Sequence, residues 1–365
     1  MNPNAVFERH PDLYYSDGDV VLAVKQTTKP DKLEDPPMYT LFRVDKLMLK
    51  RHSVTFANFF ADADAAPTEV YDGVPLAEMH GDKAEDFALL LNYLYHPYSL
   101  VFKRHDPNTP LTISGVVRLA DKYLIQPLHH CLVQQVCNDW PTTLDEYDIQ
   151  QAELDKFLQV SRAHPFPKYT PDRGRLADAI PEPVSAILFA QEFGCPQILP
   201  AAFYSLSLIP LSDDWGNNSD WPHPARDHPL ARWSLLDKEN LLRYTHGCQM
   251  LNEYRPDVWR FMCEECAIQP GPLDVPGCKP VPCGLYIKRL FEVVWNPGLR
   301  VSVTHGDPLR LLTRCLKYDE MPELSKENFP HRLCEECYQT VFFRLLGERV
   351  RVWDMLRKWF NLKLE

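Results

Sequence analysis

The sequence predicts an α+β protein, a small sheet flanked by helices that is followed by a mostly α-helical C-terminal region. Three observations predict it. Val20 to Val24 is a short run whose apolar residues face both ways, as in a strand buried on both sides. Tyr39 to Val44 alternates Thr40, Phe42 and Val44 with Tyr39, Leu41 and Arg43, the pattern of a strand with one wetter face. Phe87, Leu90, Leu91 and Leu94 then fall at i, i+3, i+4 and i+7, one face of a helix.

The remaining elements follow in order. Asp17-Gly18-Asp19 opens the first strand. After the second strand, Leu47, Leu49, Phe56, Phe59 and Phe60 supply two short helices separated near His52-Ser53, with Ser53 as N-cap of the second. Thr68 to Met79 is extended and holds turn chemistry at Asp72-Gly73-Val74-Pro75. Asp82 is expected to cap the helix of Phe87, with Glu85 reaching back. A further helix is expected from Ser114, with Val116, Leu119, Ala120 and Tyr123 as its stripe until Pro127 stops it. Leu128, Cys131, Leu132 and Val136 begin the next. The order is strand, strand, helix pair, strand, helices.

A first boundary falls near Trp140-Pro141, followed by a polar helix-prone connector from Thr142 to Ala163. A helical hairpin comes next, with Val184, Ile187 and Leu188 before Gly194, a left-handed cap, and Ile198, Leu199, Ala202, Phe203 and Leu206 after Pro196. Between Ile209 and Arg232 the prolines, Asp, Asn and Trp residues read as an exposed loop. Leu235 to Leu251 restores helix from Asp237 as cap, and Ile268 to Gly284 is again rich in Pro and Gly. The tail, Leu333 to Leu364, reads as one or two helices with a net charge of +4 over Val341 to Lys363. These breaks divide the chain into residues 1–140, 141–260 and 261–365.

The first of these segments resembles the BTB/POZ domain, in the version found in large families of fungal proteins. The resemblance rests on Asp17 to Leu22, on Phe42-Arg43-Val44-Asp45-Lys46 leading to Leu49, on Ser53 with Phe56 and Phe59-Phe60, on Tyr71 to Pro75, on Phe87 to Tyr95, and on Leu119-Ala120-Asp121-Lys122-Tyr123. Two departures are a charged, Pro-containing insert from Lys25 to Met38 and an Asp at position 45 where many relatives carry His. Leu199 to Tyr204 looks like part of the helical extension that succeeds fungal BTB domains. The resemblance implies protein binding, through homo- or hetero-dimerisation or partner recruitment, and no enzymatic activity. It implies a partner that is the protein itself or another BTB protein. A second implication is a substrate adaptor of a cullin-type ubiquitin ligase, for which the family uses an apolar residue, any residue and Glu. Phe60-Ala61-Asp62 is the nearest match, and the shorter acid at Asp62 predicts weak cullin binding or none.

Composition bounds the rest. The 365 residues allow two or three domains, and 45% hydrophobic with 24% charged residues is ordinary for a globular chain. A net charge of −11 argues against nucleic acid or an anionic membrane as the main ligand. The N-terminus has no apolar core of a signal peptide, so the expected residence is intracellular, cytoplasmic or nuclear. Eleven cysteines then read as reduced thiols, some of them metal ligands, instead of a disulfide framework. Cys263-Glu-Glu-Cys266 and Cys334-Glu-Glu-Cys337 are the strongest chemical motif, because paired thiolates two residues apart share one tetrahedral ion and two pairs close a Zn2+ site. The opposing reading is four thiols serving as small hydrophobes. Cys278, Cys283, Cys315, His246 and Cys248 are substitutes for any ligand that fails. A redox dithiol is disfavoured because the intervening carboxylates oppose a thiolate. Gly-x-Ser-x-Gly, Walker and His-Glu-x-x-His motifs do not occur. A metal-dependent enzyme in the C-terminal half remains as a third reading.

Overall fold

The computed structural model describes residues 5–26, 36–63, 69–99, 101–162, 176–216, 228–254, 280–295, 307–318, 321, 324 and 332–363. Among them the chain is mixed α and β, and it divides into two compact units. The N-terminal unit comprises Met1–Asp139 with Ala179–Pro181 and Gln191–Cys195. The C-terminal unit comprises Trp140–Asp178, Glu182–Ala190 and Pro196–Glu365. No helix among the described residues is long and apolar enough to cross a membrane.

In the N-terminal unit five strands form one sheet in the order β1-β3-β2-β5-β4. They are β1 (Val6–Tyr14), β2 (Val20–Lys25), β3 (Met38–Val44), β4 (Val70–Tyr71) and β5 (Val74–Met79). β2 and β3 form an antiparallel pair in which Leu22 faces Phe42, and β5 lies parallel to β2 on its other side. A parallel neighbour needs a crossover. Here α1 (Lys46–His52) and α2 (Val54–Ala63) occupy that connection. Ser53 divides them because its Oγ accepts the Phe56 N–H, the expected cap, while donating to the Tyr123 carbonyl. After β5 come α3 (Ala84–Tyr95), α4 (Thr109–Lys122) and α5 (Gln126–Cys137).

Both faces of β3 are covered: Tyr39, Thr40, Leu41, Phe42 and Val44 are all buried, so the expected wetter face is not found. The helices explain one face, where Phe42 meets Phe87 of α3 at 5.6 Å between ring centroids. β1 explains the other, and this strand was not anticipated from the residues. It runs parallel to β3 at one edge of the sheet, while β4 is at the opposite edge. Nevertheless the Phe7 ring lies 6.0 Å from that of Tyr71, and the Arg9 guanidinium and the Tyr14 hydroxyl each donate to Asp72 at 2.6 Å. The sheet therefore curls until its two edges meet, enclosing Val21, Ala23, Tyr39 and Leu41.

Three further expectations are corrected. The extended piece is, over its described residues Val70 to Met79, a hairpin of two strands instead of one, with the expected turn at Asp72-Gly73, where both residues have positive φ (50° and 79°). Asp82 does not cap α3, whose N-cap is Lys83. It is buried and accepts from Lys122 Nζ at 2.5 Å and from the Tyr123 hydroxyl. α4 starts at Thr109 instead of Ser114, because Pro110 has no N–H to lose in a first turn and so belongs there.

The described helices of the C-terminal unit are α6 (Leu144–Arg162), α7 (Pro183–Glu192, of which the part to Ala190 belongs here), α8 (Leu199–Ser207), α9 (Lys238–Glu253), α10 (Pro280–Trp295), α11 (Pro308–Leu316) and α12 (Glu335–Trp359). The polar connector is thus the helix α6, opened by a reciprocal cap in which Thr143 Oγ1 accepts the Glu146 N–H and Glu146 accepts the Thr142 and Thr143 N–H groups. Gly194 has the expected left-handed φ of 71°, and Asp237 caps α9 by accepting the Asn240 N–H at 2.7 Å. The tail is a single helix. α10 was not expected, and it overlaps the end of the Pro-rich stretch because Pro280 and Pro282 fall in a first turn. α11 also begins on a proline, Pro308, and is capped by Asp307.

Candidate metal centre

Cys334 and Cys337 stand at the start of α12, the first as N-cap and the second in the first turn. N-cap and third helical positions lie on the same side of a beginning helix, which is the geometry that lets a capping side chain reach the third N–H. Two thiols at this spacing therefore converge. The third is Cys283 on α10, and its sulfur, with those of Cys334 and Cys337, lies within 4.8 Å of the other two. Cys283 is 4% and Cys337 1% exposed, while Cys334 is half-buried. These three thiols can hold a metal ion.

The local contacts favour sulfur at this point. The Cys334 N–H donates to Cys283 Sγ at 3.3 Å, and the Cys283 thiol donates to the Arg332 carbonyl at 3.8 Å. Arg332 also places its guanidinium 5.6 Å from the centre of the Tyr286 ring. Tyr318 meets Tyr286 at 5.6 Å and Tyr338 at 6.0 Å. The N-terminus of a 25-residue helix carries partial positive charge, which favours thiolate over thiol. Glu335 and Glu336 of the same turn are exposed, so their charges face water.

Of the four cysteines expected as ligands, Cys334 and Cys337 come together, and Cys263 and Cys266 lie outside the described residues, as does Cys278. Cys283 is the substitute that joins the pair. Its signal in the sequence was weak because it has no partner cysteine two residues away. Cys315, by contrast, is buried on α11 apart from the three sulfurs, and desolvation pushes its thiol far up. It behaves as a small hydrophobe. Cys137 and Cys195 hydrogen-bond to each other within the N-terminal unit. His246 Nδ1 lies 2.6 Å from the Trp359 carbonyl, near the end of α12.

The expected partner residues are placed as follows. Phe60 is buried in the N-terminal unit, between Phe56 at 6.0 Å and Phe59 at 5.3 Å, and Asp62 lies on α2 with its side chain outside the described atoms. Phe7, Leu13 and Tyr14 belong to β1 and pack within their own chain. On α1 and α2, in contrast, Leu47 and Val54 are 59% and 64% exposed. The basic tail is partly structural: Arg349 is buried and pairs with Asp148, and Arg351 lies 3.7 Å from Glu348. Comparison with protein-family models finds no match to this chain, and comparison with curated proteins finds none.

Proposed function

We propose that this chain is a non-enzymatic protein-binding protein of the cytoplasm or nucleus. In this reading its N-terminal unit is a BTB/POZ-type domain that associates with a second copy or with a related domain, and its C-terminal unit is braced by a structural Zn2+. The carrying observation is the order of the first unit. β2 lies between antiparallel β3 and parallel β5, the α1–α2 pair fills the crossover, and three helices follow. That arrangement contains the strand, strand, helix pair, strand, helices order on which the resemblance rests, with β1 and β4 in addition.

Leu47 and Val54 supply the contact surface in this reading, since exposed apolar side chains on adjacent helices gain from burial against a partner. A cullin adaptor is less well supported, because the ring of Phe60 is taken up by the core. A structural ion is favoured over a catalytic one because the converging donors are all cysteines, the ligand type of closed structural sites.

Light scattering of the full chain from low to high micromolar concentration tests the association. A dimer that becomes monomeric in the Leu47→Asp, Val54→Asp double variant, with an unchanged circular dichroism spectrum, is the expected result. A clean monomer of the unaltered chain at high micromolar concentration overturns self-association.

A further inference from the structure

We infer that Cys283, Cys334 and Cys337 bind one thiophilic d10 ion, Zn2+, as three thiolates, so that Cys283 joins α10 to the start of α12. The inference rests on the structural-ion reading above and goes beyond it in naming the ligand that sequence repetition does not.

Geometry comes first. Thiolates about 2.3 Å from Zn2+ stand roughly 3.8 Å apart at the corners of a tetrahedron. The three sulfurs, already within 4.8 Å of one another, need to draw together by at most about 1 Å, which small rotations about each Cα–Cβ bond supply. They come from two elements far apart in sequence, so their meeting is a product of the fold and not of one local turn. A hard ion such as Mg2+ or Ca2+ wants oxygen donors, whereas an all-sulfur set selects Zn2+ and its soft relatives.

The surroundings fit the same ion. The Cys334 amide already donates to Cys283 Sγ, and amide donors to coordinating sulfur orient the ligand and offset its charge. The α12 N-terminus adds its partial positive charge on Cys334 and Cys337. On binding, three S–H bonds break and three S–Zn bonds form, and the three protons pass to solvent with no change of oxidation state. The proton of Cys283, now directed at the Arg332 carbonyl, is one of them. Binding is therefore weakened as pH falls, because protons compete for each thiolate.

The test uses the full chain, expressed without added metal, incubated with excess Zn2+ and dialysed. Metal content is then compared between the unaltered chain, Cys283→Ser and the Cys263→Ser, Cys266→Ser double variant. About one equivalent in the unaltered chain and in the double variant, falling below half in Cys283→Ser, is expected. Zinc retained at about one equivalent by Cys283→Ser removes Cys283 from the site while leaving the structural-ion reading in place. An unaltered chain that binds none, with all cysteines open to alkylation at one rate, overturns both.

A second measurement is independent of how the variant folds. Alkylation of the unaltered zinc-loaded chain, mapped by mass spectrometry, should find Cys283, Cys334 and Cys337 protected together and released together by a chelator. Protection of Cys334 and Cys337 without Cys283 overturns the assignment. Substitution with Co2+ should add a sulfur-to-metal charge-transfer band, and a spectrum lacking that band excludes thiolate ligation.

Discussion

Each of the two units is held together internally by different means. In the N-terminal unit the sheet brings apolar residues of neighbouring strands face to face, and Phe42, Phe56, Phe60, Phe87 and Tyr123 fill the space beneath the helices. Its buried polar groups support this packing over moderate distances in sequence: Ser53 to Tyr123 spans 70 residues and Asp82 to Tyr123 spans 41. In the C-terminal unit, helices with no sheet among the described residues are tied by buried and half-buried polar links of longer reach. Tyr204 donates to Asp307 across 103 residues at 2.5 Å, Tyr254 donates to Glu348 across 94, and Arg349 pairs with Asp148 across 201. A strand ladder sets register continuously, whereas helices of irregular order need individual anchors to select one arrangement.

Asp307 is where this comparison is most easily broken. Its Oδ1 accepts both the Tyr204 hydroxyl and the Arg310 N–H, so it caps α11 and fixes that helix to α8. Asp307→Ala strands a buried hydroxyl and removes a cap, with an expected loss of about 4 kcal/mol in urea unfolding. Ser53→Ala in the N-terminal unit removes a cap within intact apolar packing and should cost about 1.5 kcal/mol. Equal losses would mean that the C-terminal unit is not held by anchors in the way described.

Two glycines sharpen the same contrast. A Cβ on Gly247 of α9 would overlap the ring of Phe360, which is fully buried and also stacks on Phe203 at 5.4 Å. A Cβ on Gly115 of α4 would overlap the Asp86 carboxylate, a half-buried side chain that can swing aside. Gly247→Ala should cost about 3 kcal/mol and Gly115→Ala about 1 kcal/mol, read from urea midpoints of the two variants. The reverse order would show that the α9–α12 contact yields more readily than the α3–α4 contact.

A pH dependence in the N-terminal unit separates the two units in another way. Burial raises the Asp139 carboxyl from its ordinary 3.8 to about 6, against the lowering effects of the His105 N–H and of Arg104, with Asp106 adding to the rise. The His105 imidazole is 3.9 Å away. Because the folded pKa is the higher one, the folded chain holds a proton that the unfolded chain has lost between the two values. The associated stability is full below about pH 4 and is lost as pH rises through about 6. Asp139→Asn keeps an oxygen for the His105 N–H and abolishes this loss. Relative to the unaltered chain it should gain about 2 kcal/mol between pH 4 and pH 7, followed by thermal melting. A pH-independent difference would show that Asp139 remains ionised in the folded chain throughout.

The residues by themselves determined the elements whose information is local. β2, the α1–α2 break at Ser53, the stripe of α3, the left-handed Gly194 and the Asp237 cap each depend on neighbours within a few positions, where side-chain period and capping chemistry act directly. Cys334 and Cys337 were legible for the same reason, their spacing being a property of one helix start. The tertiary structure decided what depends on distant chain. Period alone gives β3 a wet face, and the curl that encloses that face is set by contacts from Phe7 and Arg9 of the neighbouring β1 to Tyr71 and Asp72. Asp82 looks like a cap until Lys122 and Tyr123 arrive to claim its carboxylate. Cys283 has no local partner, and becomes a candidate ligand only when α10 sets its sulfur beside the first turn of α12. Local propensity acts over a turn or a strand pair, whereas burial and ligand convergence depend on which distant segments the packing brings together.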